Sequence, residues 1–251
     1  MCYNKDMNIK EYLYEKRKER YSDRHASDRY ERFFHNNAQE LEELFTYYTC
    51  AMMEVETKFK VLNAQLSLNR DYSPIETIKS RVKTMESLIE KVERYDIPLE
   101  IPAIIEQVTD IAGIRIICSF PEDIYSLADM FLQQDDVRLV ERKDYFKNPK
   151  PNGYRSLHLI VTVPIFLEHE KRDMNVEVQF RTIAMDFWAS LEHKLKYKKN
   201  LPPDISDRLV AELLECAEAS AELDLKMQNI RAQINGSISP IDDEIDLHQW
   251  F

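Results

Sequence analysis

The sequence predicts an α+β fold of the broad α/β class: a mixed β-sheet of about five strands flanked by helices, with helical extensions at the N- and C-terminal ends. Three observations predict it. Residues 6–66 and 204–235 lack Gly and Pro, are rich in helix formers and repeat apolar residues at helical spacing. Between them lie β-branched apolar runs with strand-like alternation. The 251 residues include only 3 glycines, Gly113, Gly153 and Gly236, which excludes a P-loop and a GxGxxG dinucleotide turn, since both need closely spaced glycines.

Taken in order, the first helical stretch repeats Leu41, Leu44, Phe45 and Tyr48, and a break near His35-Asn36-Asn37 divides it in two. Ser73-Pro74 reads as a helix start, with Ser73 as N-cap, Pro74 at the first position and Glu76 completing a capping box, for a helix running to about Arg94 and stopping before Pro98. Ile114–Phe120, Val137–Phe146, Ser156–Ile165 and Met174–Thr182 read as strands, with a helix over Pro121–Gln134 between the first two. A helix returns from Ile183 to Lys199 and ends at Pro202-Pro203. The last helix, 204–235, carries Leu209, Leu213, Leu214, Ala217, Ala221 and Leu225 on one stripe, and the chain after Gly236 reads as a tail.

The formal net charge is −11, but it is unevenly spread. Residues 201–251 hold 3 basic and 11 acidic residues, a net −8, whereas 142–199 hold 12 basic and 7 acidic, a net +5. The acidic total argues against a protein built chiefly to coat nucleic acid, and the basic middle is either a solvated face or an anion site. No apolar run approaches a membrane span, so no membrane partner is expected. The charged N-terminus has no apolar signal core, so a cytoplasmic chain is expected. Cys2, Cys50, Cys118 and Cys216 form no CxxC pair, which fits reduced thiols and supports neither a zinc site nor a dithiol motif.

The chemistry concentrates in three segments. Lys143–His158, KDYFKNPKPNGYRSLH, sets Lys143, Lys147, Lys150, Arg155 and His158 around Tyr154, beside Gly153. Cations beside an exposed aromatic suit a phosphorylated base; the alternative is a surface hairpin whose Pro-Asn-Gly is only a turn. In the strand ending at Thr182, period two puts Glu177, Gln179 and Arg181 on one face and Val176, Val178 and Phe180 on the other. Asp110 stands at the entrance of the Ile114 strand, and with Glu177 it could hold Mg²⁺, an ion that takes few carboxylates plus phosphate oxygens. On the helix expected from Ser73, Lys83, Ser87 and Lys91 step by four along one face, a grip for polyphosphate or a solvated stripe balanced by Glu86, Glu90 and Glu93.

Four blocks, IKSRVKTMESLIEKV, DIAGIRIICSF, KDYFKNPKPNGYRSLHLIV and VEVQFRTIAMDFWASLEHKLKYK, resemble those of the RelA/SpoT-type (p)ppGpp synthetase domain over residues 47–199. The flanking helices resemble small alarmone synthetases of the RelQ type. The implied fold is nucleotidyltransferase-like. The implied activity is that of a GTP diphosphokinase, transferring the β,γ-pyrophosphate of ATP to the 3′-OH of GDP or GTP and releasing AMP. No His-Asp dipeptide of the family's hydrolase half occurs. The division expected is an N-terminal helical extension (1–46), a synthetase domain (47–200) and a C-terminal oligomerisation helix with an acidic tail (201–251).

The resemblance also assigns roles. Arg81 and Arg115 are implied to sandwich the adenine, and Lys83, Ser87 and Lys91 to touch the ATP phosphates. Asp110 and Glu177 are the implied catalytic pair and Mg²⁺ carboxylates, with Glu177 as general base for the 3′-OH. Tyr154 is the implied guanine stacker and Asp186 the reader of the guanine edge. Lys143, Lys150 and His158 are implied on the acceptor phosphates, with Gln179, Arg181 and Arg155 in support. ATP and GDP or GTP are the implied partners. A homotetramer is implied through the last helix, whose stripe could instead pack on its own domain. An allosteric (p)ppGpp site or single-stranded RNA binding stays open. The alternatives are a pyrophosphotransferase acting on adenine nucleotides or the tRNA 3′ end, and an inactive nucleotide- or RNA-binding regulator. Asp186 argues for guanine, the lack of a basic tail argues against tRNA, and intact Asp110, Glu177 and Tyr154 argue against an inactive regulator.

Overall fold

Helix α1 (Ala38–Ser67) puts Leu41, Leu44, Tyr48, Ala51, Val55 and Phe59 on one buried stripe, spaced three or four apart, and lays it across the sheet. The structure, a computed structural model, describes residues 32–33, 35–68, 72–196 and 203–236. The helix expected before residue 32 and the tail expected after Gly236 lie outside the described residues. Asn37 interrupts the helix at the expected break. The boundary expected at residues 46/47 falls inside α1, whose Leu41 and Leu44 already belong to the main core.

The sheet has five strands in the order β1 (Ile75–Val82), β2 (Ala112–Cys118), β5 (Lys171–Thr182), β4 (Leu157–Phe166), β3 (Arg138–Asp144). Only β2 and β5 run parallel; the other neighbours are antiparallel, so the sheet is mixed as expected. Alternation gives each central strand an apolar face, Ile114 and Ile116 on β2, Leu157, Leu159 and Val161 on β4, Val176, Val178 and Phe180 on β5, all buried. α1 and α4 (Pro121–Leu132) pack there, with the Phe59 ring 4.6 Å from Phe131 and 5.6 Å from Phe180.

The helix expected from Ser73 to Arg94 is corrected. Residues 75–82 form edge strand β1, paired antiparallel with β2, and the helix α2 spans only Met85–Arg94. The Ser73 hydroxyl caps nothing: it donates within reach of Asn63 Oδ1 and the Ile75 carbonyl, both at 2.9 Å. The working cap is Thr84, whose Oγ1 accepts from the Ser87 N–H at 3.3 Å. A short helix α3 (Ile101–Gln107), not expected from the sequence, follows Pro98. Helix α5 (Ile183–Lys196) continues from β5, and α6 (Pro203–Ile234) begins at the proline that was expected only to end the preceding helix. No helix among the described residues is long and apolar enough to cross a membrane.

One stripe of α6 packs on its own domain. Ala217, Ala221, Asp224 and Gln228 are buried, Trp188 Nε1 donates to the Leu213 carbonyl at 2.9 Å, and Gln228 Oε1 accepts the Glu122 N–H at the start of α4. The Arg231 guanidinium lies 4.5 Å from the ring centres of both Tyr72 and Phe120. Asp224 accepts from the hydroxyl of Thr182, which in turn accepts from the Met185 N–H and so caps α5.

Burial raises the Asp224 carboxyl from its usual 3.8 to about 6, against the pull of Thr182 and Arg155. The folded chain therefore holds this proton more tightly than the unfolded chain. The cost of ionising Asp224 is absent below pH 3.8 and complete above about pH 6. Asp224→Asn should remove that slope, so the variant's Tm minus the wild type's should rise between pH 4 and 6 in scanning calorimetry. A difference that stays constant with pH would contradict it.

Candidate active site

The register of the sheet assembles the site. On the face opposite α1, one cross-strand row reads Lys79, Arg115, Gln179, His158, Lys143, from edge β1 to edge β3. The next row reads Arg81, Gly113, Glu177, Ile160, Glu141. Side chains on such rows are neighbours by construction, because strand pairing fixes which residues stand abreast. A cavity of about 250 Å³ opens over β1, β2 and β5, lined by Lys79, Ser80, Arg81, Asp110, Gly113, Ile114, Arg115, Glu177 and Gln179. At Gly113 the bare backbone leaves room beside Arg81.

Asp110, in the turn before β2, is clamped by two cations: Lys91 Nζ donates to Oδ1 at 2.8 Å and Lys83 Nζ to Oδ2 at 3.1 Å. Burial alone would push its carboxyl up, but Lys91 and Lys83 outweigh it and hold it below the ordinary value. Lys83 and Lys91 thus converge as expected, though not along one helix face: Lys83 precedes α2, and its N–H donates to the Ile111 carbonyl. Ser87 sits in the first turn of α2, tied to Thr84 rather than to this pair.

Glu177, on β5, has both oxygens occupied. Its Oε1 is 3.0 Å from His158 Nδ1 and its Oε2 accepts from Gln179 Nε2 at 2.8 Å. Burial raises its carboxyl, and the Asp110 charge adds to that; His158 and Gln179 prevail, so it too stays below its usual value. His158 Nε2 lies 2.8 Å from the Tyr154 hydroxyl, which accepts from Arg181 Nη2 at 2.7 Å. That hydroxyl has one proton, so for a neutral imidazole it donates to Nε2, and the partners assign the ring proton to Nδ1, facing Glu177. His158, expected on the acceptor phosphates, stands in this structure beside the Glu177 carboxylate.

The segment between β3 and β4 folds back over these residues. The rings of Tyr145, Tyr154 and His158 meet edge to face at 5.3 to 6.1 Å, and Lys150 Nζ stands 4.5 and 5.0 Å from the Tyr145 and Tyr154 ring centres. Lys143 pairs with Glu141 at 2.8 Å on the exposed edge. Arg155 turns away from the cavity, donating to the Phe146 carbonyl, so it supports the loop from behind. Gly153 is required where it is. Its φ is +84°, and a Cβ there would come within 2.5 Å of Ala217 Cβ on α6.

Asp186, at the first turn of α5, is 8% exposed and does not present a free carboxylate edge. Oδ1 accepts from Arg115 and Arg181, and Oδ2 from Lys79. The residue expected to read the guanine edge is thus surrounded by three cations in this structure. Neither Lys79 nor Tyr145 was given a role from the sequence. Reading Ile78–Val82 as a strand would have found Lys79, since period two places it with Arg81 beside Arg115.

The region found in RelA/SpoT proteins matches residues 80–201. The chain is similar to the GTP pyrophosphokinase YwaC of Bacillus subtilis, 45% identical over 188 residues, covering 75% of this chain and 89% of that one. It is also similar to GTP pyrophosphokinase YjbM of the same organism, 37% identical over 187 residues, 74% of this chain and 86% of the relative. Among solved structures, small alarmone synthetase 1 of B. subtilis bound to its product pppGpp matches at a TM-score of 0.71 and 36% identity, over 78% of this chain and 99% of that one. Small alarmone synthetase 2 matches at 0.69 and 42%, over 78% and 100%.

Proposed function

Since the chain belongs to the RelA/SpoT family and, within it, to the small alarmone synthetases, we propose that it is a GTP pyrophosphokinase, moving the β,γ-pyrophosphate of ATP to the 3′-OH of GDP or GTP and releasing AMP. The observation that carries this reading is the pair of ionised carboxylates, Asp110 and Glu177, on one cavity with Lys79, Arg81 and Arg115. Two polyanionic nucleotides repel strongly at contact distance, and only dense positive charge brings them together. In this reading Arg81 and Arg115 stack on the adenine. Lys83 and Lys91 carry phosphate charge beside Asp110, and Tyr154 stacks on the acceptor base with Lys143 and Lys150 at its phosphates. Glu177, its orientation fixed by His158 and Gln179, accepts the proton of the 3′-OH as that oxygen attacks the β-phosphorus and AMP departs.

Asp110 and Glu177 are the residues that would hold Mg²⁺. Two carboxylates suit an ion that fills its shell with phosphate oxygens and water, and no cluster of three or more His, Cys, Asp or Glu exists among the described residues. When bound, such an ion supplies neutralisation of the charge on the transferring group. A homotetramer in the cytoplasm belongs to the same reading, supported by Leu223, Met227, Ile230 and Ile234, which remain exposed on α6. Product (p)ppGpp and single-stranded RNA are the allosteric ligands to add to the assay.

With Asp186 committed to cations, the preference for guanine rests on the relatives' named activity. Purified chain incubated with γ-labelled ATP, Mg²⁺ and either GDP, GTP, ATP or tRNA should label the guanine nucleotides. Transfer to ATP or tRNA alone would replace the acceptor, and transfer to none would overturn the reading.

A further inference from the structure

Arg115, Arg181 and Lys79 come from three strands and converge on a single carboxylate. Arg115 Nη1 donates to Asp186 Oδ1 at 3.1 Å, Arg181 Nη1 to the same oxygen at 3.0 Å, and Lys79 Nζ to Oδ2 at 2.7 Å. Arg181 is 5% exposed, and the Nε atoms of Arg115 and Arg181 are buried without a hydrogen-bond partner among the described residues. Asp186 therefore holds Arg115 at Nη1 and Arg181 at Nη1, while Nη2 of Arg181 is held by Tyr154. Three like charges this close repel one another unless an anion sits between them. Lys79 and Arg115 also line the cavity.

We propose that Asp186 is a positioning residue of the donor-nucleotide side: it holds Arg115 and Lys79 in the orientation that meets ATP, and it does not read the acceptor base. This rests on the pyrophosphokinase reading above. A guanidinium stacks on a base only when its plane is fixed, and a carboxylate at its Nη edge fixes that plane while leaving the face open. The same carboxylate reaches the acceptor side through Arg181, whose second arm donates to the Tyr154 hydroxyl at 2.7 Å. Asp186 is thus the shared anchor of the arginine expected on the adenine and the arginine that orients the stacking tyrosine.

The test uses the full chain with Asp186→Asn, which keeps shape and removes charge. Two quantities are measured: calorimetric affinity for a non-hydrolysable ATP analogue with Mg²⁺, and the ratio of kcat/KM for GDP over inosine diphosphate, whose base lacks the 2-amino group. Affinity for the analogue should fall about tenfold, the size of a lost charged hydrogen bond. The GDP preference of the wild type should persist. Adding Arg115→Gln to Asp186→Asn should cost little more, because the two changes remove one unit. An unchanged analogue affinity would overturn the proposal, and a GDP preference that collapses at the same time would return Asp186 to the acceptor base. Should Asp186→Asn fail to fold by circular dichroism, Asp186→Glu, which displaces the charge by one methylene, is judged by the same affinity. A wild type that transfers nothing to any acceptor sinks the pyrophosphokinase reading alone, since the analogue affinity still decides Asp186.

Discussion

Glu177→Gln should lower kcat by about a thousandfold, the usual worth of a positioned general base, while leaving the affinity for GDP within about threefold. Both oxygens of this carboxylate are held by donors, from His158 and Gln179. Burial would push its proton affinity up, yet those donors hold it low, so it is ionised at neutral pH and its orientation is fixed before substrate arrives. Gln keeps the volume and one acceptor oxygen but cannot take a proton, so the chemical step suffers and GDP binding does not. Rapid-quench measurement of the first turnover separates the two. A variant that turns over within tenfold of wild type would show that another group takes the 3′-OH proton.

Asp110→Asn should act differently. Lys83 and Lys91 share Asp110 at 3.1 and 2.8 Å, and without its negative charge they repel and release toward solvent. All three side chains are partly exposed, so the loss of stability is discounted from that of a buried pair and should be about 1 kcal/mol. Activity should fall by a hundredfold or so, the scale of losing one electrostatic contact to the reacting phosphates. The signature is the Mg²⁺ titration: half-maximal rate should need about tenfold more Mg²⁺, a shift that loss of folding does not produce. Because the folded carboxyl lies below its ordinary 3.8, the stability it contributes is present above pH 3.8 and is lost as pH falls through the folded value. The Tm gap between wild type and Asp110→Asn should therefore close in acid. An unaltered Mg²⁺ requirement would move the metal away from Asp110.

Much of the site was legible in the sequence because period two is a strong signal in a half-buried strand. Val176, Val178 and Phe180 against Glu177, Gln179 and Arg181 could be separated by face before any coordinates. β1 was not legible for a definite reason. IETIKSRV is an edge strand whose exposed residues include Glu, Lys and Arg, good helix residues, and its start overlaps a Ser-Pro-x-Glu pattern that mimics a capping box. Its strand character comes from pairing with β2, which the local sequence does not contain. The same limit applied to Asp186 and His158. Asp186 meets Lys79 across 107 positions and Arg115 across 71, and no spacing rule reaches that far. Their residue types were recognised, but their partners are a product of the register.

The cross-strand row from Lys79 to Lys143 has a metric consequence. Neighbouring strands lie about 4.8 Å apart, so the row is roughly 19 Å long and its five side chains sit at fixed steps along it. The backbone hydrogen bonds act as a lattice constant, and the separation of donor and acceptor positions is quantised in strand widths. Side-chain substitutions can retune charge or shape at a step, but only gaining, losing or slipping a strand would change the spacing, and a one-residue slip of any strand would turn that strand's member of the row inward to α1.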